Sequence, residues 1–384
     1  MDNNSSRNNT IAKNTFLLYL RSLFGLAVSL YTSRIVLNSL GIDDYGIYNV
    51  VGGMVAMFSL LSNSLSTAIS RYLTFELGKE NIDKLRTIFS SSVVIQTGLA
   101  LFILLLVEIF GICFLNLYIN IPAGRLEAAH WALQCSAITF AVGLISIPYN
   151  ATIIAHEKMV FFAYISILEQ VLKLIVAYLL YISPFDKLKI YAFLLVIVSI
   201  LIRAIYGMYC KRQFEECNGK IIIDKSFIRQ MVDFAGWNFL GAGSGVLMTQ
   251  GVNILMNLFF TVAVNAARGV ATQIEGVVMS FVNNFTTAIN PQITKSYASG
   301  DREYLFQLIH RGSKYSFFLV LFFALPILLE TETILTLWLG LVPVYTSQFV
   351  RLSLLVALLS VISNTLVTSM LATGNIKKYQ IVDR

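Results

Sequence analysis

The 384-residue chain alternates long apolar runs with short polar breaks. A helix that spans a bilayer takes roughly 20 predominantly apolar residues. Ten runs meet that length and predict helices at about 14–38, 45–70, 88–117, 128–154, 160–182, 189–210, 233–259, 264–290, 314–338 and 346–373. The breaks are short. The longest on one side, around 118–127, leaves no room for an extracytoplasmic domain. The longest on the other, 211–232, carries KR, EE and DK charge clusters and reads as a linker between two bundles. The pattern therefore predicts an all-α, polytopic membrane helix bundle of about ten transmembrane helices.

Charge orients this bundle. Of the 28 lysines and arginines, nineteen fall in the N-terminus and in 70–87, 155–158, 211–232, 294–314 and 374–384. Only Arg125, Lys187 and Lys189 fall in the opposite breaks. Positive charge is retained on the cytoplasmic side, so the bias predicts a multi-pass bacterial inner-membrane protein with a cytoplasmic N-terminus. It also accounts for the net charge of +7 without a nucleic-acid partner. Charged residues make up 13% of the chain against roughly 25% in soluble domains, too few for a solvated shell. The polar residues 1–14 run into the first helix with no small-residue cleavage site behind it, as in an uncleaved signal anchor.

The pattern repeats. Residues 64–90 and 284–310 align without gaps at an offset of 220, with identities Thr67/Thr287, Ala68/Ala288, Ile69/Ile289, Thr74/Thr294 and Leu85/Leu305. Both segments close the second helix of a bundle and enter a basic break. Six helices per repeat is an even number, so the two lobes share one orientation, the arrangement in which a substrate is held between parallel repeats. The expected lobes are 1–215, with six helices, and 216–384, with helices seven to ten. On this repeat the second lobe is incomplete, two helices short.

Enzyme chemistry has no visible carrier. Cys113, Cys135, Cys210 and Cys217 lack metal-ligand spacing, the three histidines are scattered, and no phosphate-binding Gly-x-x-x-x-Gly-Lys-Ser/Thr occurs. The expectation is a non-enzyme without metal or cofactor, not driven directly by ATP.

Charges inside the apolar runs are the functional candidates, because each is expensive there. They are Arg21, Arg34, Lys173, Arg203, Arg268 and Arg351. On the eighth helix Arg268, Thr272, Glu275, Met279, Asn283, Thr286 and Asn290 step by 4, 3, 4, 4, 3 and 4. At about 100° per residue they share an arc of roughly 80°. Gln250, Asn253 and Asn257 form a shorter stripe on the seventh helix, and Ser59, Ser62, Asn63, Ser66 and Ser70 another on the second. These stripes either line a wet cavity or make interhelical polar contacts worth roughly 0.6–2 kcal/mol each. Arg21 and Arg34 either meet an anionic head group or snorkel to an interface. Glu169 and Lys173, four residues apart near the middle of the fifth helix, either neutralise each other or form an ion-coupling site. Arg203 reads as a snorkelling side chain and Arg351 as an interfacial anchor. Pro148, Pro291 and Pro326 and the glycines 241, 243, 245 and 251 permit kinks or close packing.

Several stretches resemble a known family. They are Ser33-Arg34-Ile35-Val36-Leu37, Leu40-Gly41-Ile42-Asp43-Asp44-Tyr45-Gly46-Ile47-Tyr48-Asn49-Val50-Val51, Ser70-Arg71-Tyr72-Leu73, Asn290-Pro291-Gln292-Ile293 and Ser299-Gly300-Asp301. Together they resemble the O-antigen (Wzx-type) flippases of the MOP exporter superfamily. The resemblance implies translocation of an undecaprenyl-diphosphate-linked oligosaccharide by alternating access, with that lipid-linked oligosaccharide, membrane lipids and a polysaccharide polymerase complex as partners. Members usually have twelve or fourteen helices. A cation-coupled small-molecule exporter of the same superfamily is the alternative, with a truncated, inactive flippase as a further reading. A glycan polymerase or ligase fits poorly, because it needs a sizeable periplasmic loop.

Overall fold

The computed structural model describes residues 2–117, 121, 124–218, 222, 224–259, 262–339, 342 and 344–382, and their side chains except at 2–9, 30, 42, 56, 60, 61, 114, 116, 117, 242, 245–259, 262, 263, 265, 266, 339, 378, 381 and 382. Among these residues every regular element is helical. The order is α1 (Asp2–Ala56), α2 (Ser59–Gly78), α3 (Ile82–Leu106), a π turn (Val107–Gly111), α4 (Ile112–Leu117), α5 (Leu126–Ala155), α6 (Met159–Ile182) and α7 (Lys187–Gln213). A 3-10 turn (Glu215–Cys217) precedes α8 (Lys225–Phe259), α9 (Val262–Ser299), α10 (Arg302–Leu329) and α11 (Thr331–Leu339). The chain closes with α12 (Thr346–Ser360), a 3-10 turn (Val361–Ser363), α13 (Asn364–Thr373) and α14 (Lys377–Val382).

Each of the ten apolar runs is helical. Seven helical stretches among the described residues are long and apolar enough to cross a membrane. Of the other runs, the second and eighth are serine- and asparagine-rich, and most of the seventh lies where only the backbone is described. The all-α, multi-pass architecture follows.

Local chemistry sets the element ends. Gly41 sits at φ 80°, ψ 174° inside α1 and divides it into two helical rods. Only glycine enters that region without strain. The second run is broken again at Met57–Phe58, before α2. Asn81, Asp186 and Asp301 cap α3, α7 and α10 by accepting the backbone N–H three residues on, at 3.1, 3.1 and 3.2 Å. Gly300 and Gly374, at φ 79° and 80°, take the left-handed positions just past α9 and α13.

The chain forms two compact units, one of Leu20–Ala235 and one of Gly236–Arg384 together with the first nineteen residues. In the first, α5 packs against α2, α3 and α7. Its buried face is built on Ala128, Ala129, Ala132, Ala137 and Ala141. Small residues let helices approach closely where apolar burial gives no net drive. Ile103, Leu133, Leu144 and Leu188 fill the same core.

The segment after α7 is tied to this unit. The Ile222 N–H donates to Ser90 Oγ at 2.7 Å, and Ser91 Oγ donates to the Ile222 carbonyl at 3.4 Å. The first turns of α8 follow it. Arg71, in the Ser-Arg-Tyr-Leu stretch, lies 4.5, 5.0 and 5.6 Å from the ring centroids of Tyr72, Phe75 and Phe234. Tyr72 also meets Phe227 edge-on at 5.1 Å. His156, stacked on Phe214, is 2.6 Å from the buried Glu216 carboxylate. Burial opposes the Glu216 charge, but the His156 hydrogen bond and nearby Arg86 outweigh it and hold the carboxyl below its ordinary range.

In the second unit α9 is central, packed by α10, α12 and α13. Ala271, Val278 and Val282 of α9 meet Val320, Ala324, Val350, Leu354 and Ala357. Ile11 of α1 packs with Ile289, Ile293, Tyr304, Leu305 and Leu308, and Tyr19 meets Phe281 at 5.7 Å. Thr365 of α13 is fully buried against α10. Its hydroxyl donates to the Ile309 carbonyl at 3.1 Å and lies 2.7 Å from Ser313 Oγ. Gly312 permits this approach, since a Cβ there would come within 2.5 Å of Thr365 Cγ2.

Candidate functional site

Two sets of polar residues interrupt the apolar helices, one in each unit. The α9 stripe is flanked by its own packing stripe. Ala267, Ala271, Val278, Val282 and Ile289 are buried, each one residue, or roughly 100°, from a position of the polar stripe. The polar stripe divides. Thr272 and Asn283 are exposed, while Arg268, Glu275 and Met279 are half-buried. Thr286 is buried, and Asn290 accepts a hydrogen bond from Thr368 of α13 at 3.0 Å through Oδ1. The Asn290 end is thus used for packing, and the Arg268–Asn283 part presents polar groups at the surface of the unit. Asn253 and Asn257, with Gln250, have side chains outside the described residues.

The second set lies in the other unit and brings together residues far apart in sequence. The Arg21 guanidinium of α1 sits over the Phe162 ring of α6, 5.0 Å from its centroid. Further along the same two helices the hydroxyls of Tyr31 and Tyr178 are 2.8 Å apart. Between these ties Lys173 Nζ donates to Glu169 Oε1 at 2.6 Å. The pair is made, yet its side chains stay 39% and 35% exposed. Tyr206 of α7 lies within electrostatic reach of Ser166, Glu169 and Arg21. Sequence reading missed Tyr206, since a tyrosine in an apolar helix carries no signal of what it faces. Arg34 is exposed on α1, apart from this group.

Arg203 does not snorkel. Its guanidinium lies over Tyr149, 3.7 Å from the ring centroid, on the turn after Pro148. The bare Gly207 makes room for it, because a Cβ there would fall 2.7 Å from Arg203 Nη1. A desolvated cation–π contact is worth about 2 kcal/mol. Tyr149→Leu is accordingly expected to lower stability by about that amount or more, and adding Arg203→Met to recover part of the loss. Thermal midpoints of the four proteins of this cycle in detergent check it; full additivity would show that the two residues are uncoupled. Arg351 likewise has a specific partner, donating from Nε to Thr331 Oγ1 at 3.2 Å.

A cavity of about 200 Å³ is lined by Tyr48, Gly52, Ser136, Thr139, Phe140 and Leu195 among others. At about 30 Å³ per water it holds a handful of waters, not an oligosaccharide.

Residues 21–179 match the MatE family model. No curated protein matches the chain in sequence. Among solved structures, a variant of the Vibrio cholerae MATE transporter VcmN superposes with a TM-score of 0.78 at 16% identity, over 100% of this chain and 86% of that one. An outward-facing multidrug resistance MATE family transporter of the MOP superfamily gives 0.74 at 12% identity, over 97% and 84%. A MOP superfamily transporter from Pyrococcus furiosus gives 0.76 at 12% identity, over 97% and 84%. The chain therefore has the fold of MATE transporters.

Proposed function

We propose that the protein is a multi-pass membrane transporter that moves its cargo by alternating access. The observation that carries this reading is the MATE-transporter fold over nearly the whole chain. The comparisons support ion-coupled export of a small molecule better than flipping of a lipid-linked oligosaccharide. Glu275, half-buried on α9 two turns from Arg268, is then the carboxylate to test for ion coupling.

One observation favours the second reading. The charges along the candidate faces are mainly cationic, with Arg21 and Lys173 in one unit and Arg268 in the other. This suits an anionic cargo such as an undecaprenyl-diphosphate-linked oligosaccharide better than a cationic drug. The fold accommodates both signs: the Pyrococcus furiosus protein is described by a binding pocket of reverse polarity that suggests a different function. In either reading the protein sits in the bacterial inner membrane with its N-terminus in the cytoplasm.

Paired assays in one expression system separate the readings. Small-molecule export predicts raised drug tolerance in a pump-deficient strain, reduced about tenfold or more by Glu275→Gln at equal membrane abundance. Flipping predicts restored surface glycan in a flippase-deficient strain, lost in Arg21→Ala and Arg268→Ala. Neither phenotype in matched hosts would defeat the transporter reading.

A further inference from the structure

The outer face of α3 and the π turn after it carries a charge that the rest of its unit does not answer. Leu101, Phe102, Leu105, Ile109 and Phe110 are each 54–65% exposed, so most of each side chain is left uncovered. Glu108 stands exposed among them. The stretch belongs to Ile82–Gly111, one of the seven helical stretches long and apolar enough to cross a membrane, and an exposed face of that composition meets lipid chains.

Its depth follows from its neighbours. Gly111 touches α5, since a Cβ there would lie 3.3 Å from the Leu133 side chain. Two residues before Leu133, Trp131 donates from Nε1 to the Lys189 carbonyl at 3.2 Å; such a ring marks a membrane–water boundary. Glu108 lies three residues from Gly111, away from that boundary, so it sits about 7 Å of helix rise inside it. A carboxylate at that depth is costly without a cation. Its own helix offers none, because the residues three and four positions away are Leu104, Leu105, Gly111 and Ile112. No ion pair among the described residues uses Glu108.

The backbone holds the carboxylate outward. The buried stripe of this helix runs Ala100, Ile103, Val107, Gly111 and Leu115. Steps of four would drift by about 40° each in an α-helix. The π turn at Val107–Gly111, closed by the Ile112 N–H onto the Val107 carbonyl, takes up that drift. Val107, Gly111 and Leu115 thus stay inward, and Glu108 stays on the lipid face. Such turns recur at functional sites.

We propose that this face is a binding site for an amine-headed phospholipid of the outer leaflet, with its ammonium on Glu108 and its chains along Leu105, Leu101 and Phe102. A lipid answers both halves of the surface. Its head brings the missing cation to just below the boundary, and its chains cover the apolar residues deeper in. A primary ammonium offers the carboxylate three N–H donors; a trimethylated head offers none. The site goes beyond the transport reading and needs only that the chain spans a membrane.

The test uses the full chain reconstituted in equal parts phosphatidylethanolamine and phosphatidylcholine with the same acyl chains. Lipid that stays with the protein after partial delipidation is counted by mass spectrometry. The unsubstituted protein is expected to retain phosphatidylethanolamine about fivefold over phosphatidylcholine, the effect of one charge near a membrane surface. The preference should fall stepwise for mono- and dimethylated heads, persist in part in Glu108→Asp and vanish in Glu108→Gln. Glu127→Gln, which removes an exposed carboxylate already paired with Lys189, should leave it intact. No preference in the unsubstituted protein, or an unchanged one in monodisperse Glu108→Gln, would overturn the site. Equal loss in Glu127→Gln would overturn its assignment to Glu108. If the unsubstituted protein is instead an oligomer that Glu108→Gln separates, a second copy covers the face and the lipid site is wrong.

Discussion

Arg125→Ala is expected to be among the most damaging single changes outside the apolar helices, at about 2–3 kcal/mol, the range for charge-assisted hydrogen bonds whose partners are left without a cation. Arg125 sits just before α5 and joins two carboxylates that approach from different elements. Its Nε donates to Asp44 Oδ1 at 2.7 Å, and its Nη2 closes a second bond to Asp44. Its Nη1 and Nη2 donate to the two oxygens of Asp186 at 2.5 and 3.3 Å. Asp44 belongs to the rod of α1 beyond Gly41, and Asp186 caps α7, so one guanidinium fastens three elements. Only 14% of the Asp44 side chain and 27% of that of Asp186 are exposed. Removing the guanidinium would set two carboxylates against each other with little water to separate them.

The pH dependence gives this prediction a sign. Burial disfavours the Asp186 charge, but the Arg125 hydrogen bonds and the backbone N–H of Lys189 outweigh it and hold the carboxyl below its ordinary value. The same contacts, led by Asp186, raise Arg125 above its usual range. A carboxylate lowered in the folded state contributes stability that is complete above its unfolded pKa of about 3.9 and is lost as pH falls through the lowered value. The gap between the unsubstituted protein and Arg125→Ala should therefore be widest near neutral pH and shrink below about pH 4. Thermal midpoints of both proteins across pH measure this. A gap independent of pH would show that Arg125 acts through packing alone. Arg125→Lys is expected to recover less than half of the loss, because an ammonium cannot offer two forks.

Gly41→Ala is the second large effect. Nothing lies within 4 Å of where its Cβ would be, so no clash is created. The whole cost comes from the backbone, which at φ 80°, ψ 174° is open essentially to glycine alone. That costs about 1–3 kcal/mol if the break is kept. If α1 instead straightens to avoid it, Asp44 leaves Arg125. Gly41→Ala and Asp44→Asn should then be less than additive, which a double-mutant cycle of thermal stabilities decides. Strict additivity would show that the break and the clamp are independent. The Leu40–Gly46 stretch that carries the family resemblance thereby acquires a structural reason: it holds the break and, three residues on, the carboxylate that secures it.

How much of this was legible beforehand depends on the kind of signal. The helical character of the runs was visible, most plainly for the seven long and apolar enough to cross a membrane, because an apolar stretch of that length satisfies its backbone only as a helix in lipid. The α9 polar stripe was visible because its period is that of one helix. Which half of it packs was not, since Asn290 is committed by Thr368, 78 residues away. The Glu169–Lys173 pair was visible as an i, i+4 spacing and is made at 2.6 Å. That Arg21 joins the same face was not, because α1 and α6 meet only in the folded unit. Arg203 shows the limit most clearly. Within its own helix no partner exists, so the interface is the natural destination; the fold supplies the Tyr149 ring from α5 and Gly207 supplies the space.

The sequence by itself determined that this is a multi-pass helical membrane protein, where its helices run, and which side chains stand at a cost inside them, because hydrophobic length and helical period are local properties. Tertiary structure alone decided what those side chains do. Arg125 became a clamp, Arg203 a stacked cation and Arg21 a cation over the Phe162 ring through contacts between elements 50 or more residues apart, and no local pattern encodes the partner that a distant helix brings.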